Sequence, residues 1–526
     1  MNHLLLPLVV SDVPPGLLQA FDQAGVPWVR FDERSQSPQG RFHIYDSRLR
    51  GCPEAKGGQH LIDMATCDIP SGDLADDRHP AVTLCGMLTD ALSSRCRWEI
   101  EGLCPEERVS RYDKSAAREQ LLANVRAKVE DAGGIWATLS PVPSPHQSAF
   151  CLRVDYDKAE PVDVGRFLAA IGGYEEATSH YLCGSEYQEQ HEVLSRLRGM
   201  HVGAHGYWHH TYTTAAENSG NIQRCVELLD RAGLNPCGFV APHGRYTAGL
   251  AASLAKLGVT HSSEFSLAHD DLPFFPQDGD GKPLPTLQIP VHPISLGIVL
   301  EAAEQSVTTN IETVIECLCR HYSCWLRTNH QAGQPTWFYG HPDSRLGRYP
   351  QVVREIFRTL DALNGVWKTS LAEFETWWRE RNSLRWCVEQ TSAGLHVRRL
   401  SGEASHRPSV EIWHGQQVAQ VAFDAPELMI QTKHAPPPND ASAQSRRSTV
   451  CPARQPCKHV QARFVSRPAP PRLHRENLTH SFSLRGAFKN FIDWERDTPR
   501  TEIRVRGIRQ LLKKSMRYAF PGPHKD

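Results

Sequence analysis

The chain has 526 residues, a net charge of −1 and 40% hydrophobic residues, which is too long for one ordinary domain and too balanced for a disordered or nucleic-acid-binding protein. Its 15 cysteines form no CxxC pair and no repeated spacing, so free thiols in a reducing compartment are expected, not a disulfide framework. No stretch approaches the ~20 apolar residues of a membrane span, and the opening "MNHLLLPLVVSDVPPG" lacks the basic start and cleavage site of a signal peptide. A cytoplasmic protein is the expectation.

Residues 1–110 begin strand, helix, strand with "HLLLPLVV", "PPGLLQAFDQAG" and "PWVRF", a small α/β unit that carries no motif. Residues 111–147 hold a helical connector in which Leu121, Leu122, Val125 and Val129 recur at helical spacing before a Gly pair. From 148 to 383 apolar strands alternate with helices, from "AFCLRVDYD" and "DVGRFLAAIGG" to "PTWFYGH" and "PQVVREIFRTLDAL". That rhythm predicts βα units closing into an irregular (β/α) barrel with fewer than eight full units, and chemistry then gathers at the C-terminal strand ends. Residues 384–433 change to short alternating runs, a small β unit. Residues 434–526 read as a Pro/Ser/Arg-rich linker and a basic tail, with 19 Lys or Arg against 6 Asp or Glu from Arg446 onward. Near its end "RGIRQLLKKSMRYAF" alternates basic and apolar residues on a helical period, as a helix lying on an anionic membrane surface would. Cys451, Cys457 and His459 fit no familiar metal-ligand spacing.

The first predicted barrel strand ends in Asp155 and Asp157. Residues i and i+2 of a strand share a side, so two carboxylates face one space, and like charges that close call for a cation between them. His205 and His209, spaced HxxxH after "MHVGA", fall on one face if the chain turns helical there, and with one carboxylate they complete a three-ligand open metal centre. Two more strand ends, "VAPHGRY" and "YGHP", add Pro242, Gly244 and His341.

These four stretches in order resemble the polysaccharide deacetylase family, also called the NodB-homology or carbohydrate esterase 4 family, over roughly residues 148–383. The resemblance implies a divalent metal, with zinc first, held by Asp157, His205 and His209. It makes Asp155 the general base and His341 the general acid. His243 at the turn permitted by Gly244 becomes an oxyanion donor, and Tyr246, with Tyr207 and Trp208, becomes a substrate contact. The substrate implied is an N-acylated, usually acetylated, amino sugar of surface glycan or exopolysaccharide. One departure stands out: Val240 occupies the place of the family's arginine that braces the base, and Arg153 or Arg245 would have to substitute. "RVDYD", "HGYWHH" and "TLQIPV" are also similar to deformylases of lipid-linked aminoarabinose, which points to a sugar on a lipid or nucleotide carrier. A non-catalytic carbohydrate-binding relative and a hydrolase of non-sugar C–N bonds remain open alternatives. No nucleic-acid partner is expected, the basic tail offers a peripheral membrane contact, and the sequence does not give the oligomeric state.

Overall fold

The computed structural model describes residues 3–31, 41–49, 52–53, 59–66, 93–98, 106–110, 114–158, 160–264, 272–278, 282–292, 295–304, 309–431, 457–469 and 478–480. The site-bearing part is organised by the strand Ser148–Tyr156, all nine residues of which are buried. Burial on both faces is why it reads as a continuous apolar run, as in other helix-covered parallel sheets. It pairs in parallel with Thr178–Leu182 on one side and Thr336–Gly340 on the other, and its first residues pair with Val366–Lys368. His201–Ala204 extends the sheet beyond Thr178–Leu182. Phe239 then bridges Ala204 to Ser262, and His261–Ser262 pairs with Leu287–Gln288.

Regular pairing stops there. Between Leu287–Gln288 and Thr336–Gly340 run the bonds His292 N–H to Trp337 O (2.7 Å) and Leu296 N–H to Tyr339 O (2.9 Å). Pro290 interrupts this stretch, and proline cannot donate to a ladder. The expected barrel is thus present as α/β architecture on a parallel sheet, without a closed ring of regular strand pairs among the described residues. Helices cover the sheet with apolar stripes; in Ala215–Arg231 the buried Ile222, Cys225 and Leu229 make the stripe, and Thr214 caps the first turn by accepting from Glu217 N–H.

The remaining segments form a second packed unit. Leu8–Val10, Trp28–Arg30, Phe42–Tyr45 and His60–Asp63 make a parallel sheet. The strand His3–Leu6 just before it pairs antiparallel with Arg385–Thr391, and Trp136–Leu139 pairs with Ser409–His414. Leu17, Phe21, Leu121, Val125, Trp136, Trp386, Val397, Ile412 and Ile430 belong to one buried cluster. Residues 5–64, 117–139 and 384–430 thus contribute to one buried cluster, although segments 1–110, 111–147 and 384–433 read as separate pieces; local periodicity carries no information about pairing across hundreds of residues. Part of the segment read as linker and tail also differs from expectation. Lys458–Gln461 pairs with Glu427–Gln431, Val465–Ser466 pairs with Gln417–Ala422, and Leu478–His480 pairs with Ser93–Trp98. Cys451, the Pro-rich stretch after His434 and the basic amphipathic run at 506–520 lie outside the described residues.

Arg381, on the helix Leu371–Ser383, joins the two parts. It is 1% exposed and donates to the carbonyls of Ser140 (2.9 Å), Leu139 (2.9 Å), Asp22 (3.0 Å) and Gln23 (3.0 Å). A buried guanidinium is tolerated here because its forked donors meet carbonyls that would otherwise be left unpaired. Among the described residues, no helix is long and apolar enough to cross a membrane.

Candidate metal centre

His205 follows directly on the strand His201–Ala204. The chain then bends at Gly206, whose φ of +80° favours glycine. The segment carrying His209 is not the helical turn expected from HxxxH. It is an irregular loop pinned by Asn221, which accepts from Trp208 N–H (2.7 Å) and donates to the carbonyls of Trp208 (3.1 Å) and His210 (3.1 Å). This loop still turns His209 back over His205, and the two Nε2 atoms lie 3.2 Å apart.

Asp157 closes the triangle. Its Oδ1 is 3.1 Å from His205 Nε2 and 3.2 Å from His209 Nε2, and its Oδ2 is 3.3 Å from His341 Nε2. His205 Nδ1 lies 2.8 Å from the carbonyl of Val240 and must donate to it, which leaves Nε2 with its lone pair facing the carboxylate when the ring is neutral. Asp157 Oδ1 is buried and accepts no well-directed hydrogen bond among the described residues. Burial opposes ionisation of Asp157, but the charges of His209 and His341 with the contacts from His205 and His209 outweigh it and hold the carboxyl well below its ordinary range. Three electron-rich atoms about 3.2 Å apart, with no proton assigned between two of them, are the donor set of a small cation: tetrahedral bonds of ~2.0–2.1 Å place ligand atoms ~3.3–3.4 Å apart. Asp157, His205 and His209 therefore fit a divalent metal.

Asp155 has a different environment. It is 3% exposed and lies in a two-bond fork from Arg153, Nε to Oδ1 at 2.9 Å and Nη2 to Oδ2 at 2.5 Å. Arg153, two residues back on the same face, is itself held by the Ser263 carbonyl (2.5 Å) and stacks 4.7 Å from the Tyr339 ring centre. Arg153 thus supplies the cation beside Asp155 that Val240 cannot. Val240 contributes through its backbone carbonyl to His205.

Three further acids and bases that the sequence analysis did not single out stand around the centre. Glu264 accepts from Ala241 N–H (3.0 Å) and from the Ser262 hydroxyl; burial pushes its carboxyl up to about 7, partly offset by those bonds and by Arg153. Asp343, just beyond His341, is raised to about 6 by burial, against the pull of His341 and with a further push from Asp157. Arg345 donates to His341 Nδ1 (2.7 Å) while Glu301 holds it through Nε (3.0 Å) and Nη2 (2.7 Å). An arginine can only donate, so His341 carries its ring proton on Nε2, the nitrogen facing Asp157. The "GHPDSR" run holds both Asp343 and Arg345, and their nearness to a strand-end histidine was the available signal.

The predicted substrate contacts separate. His243, exposed and in the left-handed region at φ +59°, stacks edge-on 4.5 Å from His209, with Gly244 beside it at φ +58°. Tyr246 and Tyr207 are 7% and 4% exposed and belong to the apolar core, so neither offers a stacking face. The turn at Gly206 sends Tyr207 inward, where Arg224 lies 3.6 Å from its ring centre, and leaves Trp208 as the half-exposed aromatic. His201 starts its strand at the end away from the centre, and His210 packs edge-on against Tyr212 (4.6 Å).

No protein-family model and no curated protein matches the chain. Among solved structures it is similar to a polysaccharide deacetylase of Mycobacterium smegmatis (19% identity, 46% of this chain and 93% of that one, TM-score 0.38). It is also similar to one of Pseudomonas aeruginosa PAO1 (15%, 46% and 94%, 0.38) and to a CE4 family pseudoenzyme of Bacillus anthracis (13%, 47% and 71%, 0.30).

Proposed function

We propose that this chain is a divalent-metal-dependent hydrolase of the polysaccharide deacetylase type, removing an N-acyl group, in the first instance acetyl, from an amino sugar. The observation that carries the reading is the convergence of His205 Nε2 and His209 Nε2 on an Asp157 oxygen that lacks a donor, beside an aspartate fixed by its own arginine. Asp157, His205 and His209 would hold the ion. Zinc is proposed as the native metal because two imidazoles and a carboxylate suit it. The bound ion would supply Lewis acidity and a water of lowered pKa.

The other residues then divide the proton work. Asp155 would accept the proton of the attacking water through the lone pairs that Arg153 leaves free, and the fork fixes the direction in which they point. His341 would hand the proton on Nε2 to the leaving nitrogen, with Arg345 keeping the ring in that tautomer. The backbone N–H of His243 would donate to the developing oxyanion. Trp208 offers an apolar face for the sugar.

A second reading concerns the substrate. The Arg153–Asp155 ion pair gives physical content to the "RVDYD" pattern, and that pattern is the resemblance to lipid-linked aminoarabinose deformylases. It favours a formyl or acetyl group on a carrier-linked sugar, handled in the cytoplasm with the basic tail near a membrane surface.

The test is acetate or formate release from N-acylated amino sugars by protein depleted of metal and then reloaded. Activity that returns with the metal supports the reading. Hydrolysis that persists at full rate without metal overturns it, and sugar binding without turnover in the loaded protein would favour the non-catalytic relative.

A further inference from the structure

We propose that His396, Glu427 and Cys457 form a second site for a divalent transition metal, of zinc-like borderline softness, on the outer face of the C-terminal sheet. Their ligand atoms all lie within 4.8 Å of one another, and His396 Nε2 is already 3.2 Å from Glu427 Oε2. A tetrahedral site with bonds of ~2.0–2.3 Å has edges of ~3.3–3.8 Å, so closing on an ion takes a movement of about 1 Å or less at the thiol.

Three adjacent strands deliver these groups. His396 lies on Gly394–Ser401, Glu427 opens Glu427–Gln431, and Cys457 immediately precedes Lys458–Gln461. In the register Arg398 faces Glu427 and Leu428 faces Lys458, which brings Cys457 beside Glu427. Leu395, Val397, Leu428 and Ile430 are buried in the core, so by alternation His396 and Glu427 point the other way. All three groups are half-buried.

The charges suit a dication. A carboxylate and a thiolate bring two negative charges, and Arg398, opposite Glu427 in the register, is paired with Glu389. Glu389 also faces His396 Nδ1 at 3.9 Å, on the side opposite Glu427, the arrangement that orients a metal-binding imidazole. His459, exposed two residues further along the same strand, or water can complete four ligands. Such an ion would clamp the returning strand Lys458–Gln461 to the sheet, joining parts of the chain distant in sequence.

Cobalt distinguishes this site from the Asp157 centre, which contains no sulfur. Full-length protein stripped by a chelator and titrated with Co2+ should bind about two equivalents and develop a near-ultraviolet thiolate-to-cobalt band. Cys457→Ser should lose the band and one equivalent, whereas His205→Ala should lose the other equivalent and keep the band. Glu427→Gln, which leaves the sulfur in place, should move the midpoint of the band by about tenfold or more. Absence of the band from the wild type overturns the proposal whatever the variants do, as does a band that survives Cys457→Ser or a midpoint unmoved by Glu427→Gln.

Discussion

Breaking the Arg153–Asp155 fork should reveal a strong energetic coupling. The side chains are 2% and 5% exposed, so solvent screens neither, and two hydrogen bonds of 2.9 and 2.5 Å join them. Arg153→Leu leaves a buried carboxylate without its counterion, which costs about 3–5 kcal/mol. Asp155→Asn loses one charge but keeps an amide that can still accept, and the guanidinium retains the Ser263 carbonyl, so about 1.5–3 kcal/mol is expected. In the double variant no charge is stranded, and its cost should fall short of the sum of the singles by about 2 kcal/mol. Urea unfolding followed by near-ultraviolet circular dichroism measures all four proteins. Additivity within about 0.5 kcal/mol would refute the claim that the pair acts as a unit. The same Asp155→Asn protein should keep its metal yet turn over ~100- to 10,000-fold more slowly, as loss of a general base requires.

His205→Ala should lose most bound metal with the fold retained, and Asp157→Asn should weaken binding because an amide is a poorer ligand than a carboxylate; elemental analysis reads both, and equal metal content in variant and wild type would count against the site. His341→Ala should retain metal and lose turnover, checked by the same analysis beside an acyl-release assay. Glu264 has its folded pKa raised from 4.5 to about 7, so the native state holds the proton longer than the unfolded chain does. Its contribution to stability is full below pH ~4.5 and is lost as pH rises through ~7, a change of about 3 kcal/mol that Glu264→Gln should abolish in urea midpoints measured across that range. Arg467 Nη1 lies 2.8 Å from Glu411 Oε2, whose side chain is 4% exposed; Arg467→Met should destabilise the second unit by about 3–5 kcal/mol in thermal or urea unfolding, whereas a terminal linker position would show no effect.

The parts of the molecule legible from sequence were those whose signal is local. The apolar run into Asp155 and Asp157, the HxxxH spacing and the histidine after "TWFYG" each mark a strand end, and the structure brings the Nε2 atoms of His205, His209 and His341 each within 3.3 Å of an Asp157 oxygen. Arg153 was legible as a candidate because i and i+2 share a face. Glu264 was not: Ala241, whose N–H it accepts, lies on a separate strand-like segment that only the sheet brings beside it. Tyr207 and Tyr246, expected as substrate contacts, are buried in the core, where an aromatic is more often found than on a binding surface. The N-terminal unit was opaque because its edge strand pairs with Arg385–Thr391, a partner that no local pattern names.

Four acids stand around the same strand ends, and the fold treats each differently. Asp155 is answered by a cation built into its own strand, with both oxygens engaged by Arg153. Glu264 and Asp343 are answered by burial that raises their pKa values to about 7 and about 6, easing the cost of their charge by favouring the proton. Asp157 has neither an arginine on its own strand nor a raised pKa. It is held ionised, its Oδ1 faces two imidazole nitrogens, and one of those rings has already committed its Nδ1 proton to Val240. A charge balanced by a fixed internal cation is suited to orientation and proton transfer, because the fold already supplies its counterion. A carboxylate flanked by two imidazole nitrogens at about 3.2 Å is suited to sharing a cation with them. That difference, more than the order of the residues in "RVDYD", is the physical ground for giving the first aspartate the proton and the second the metal.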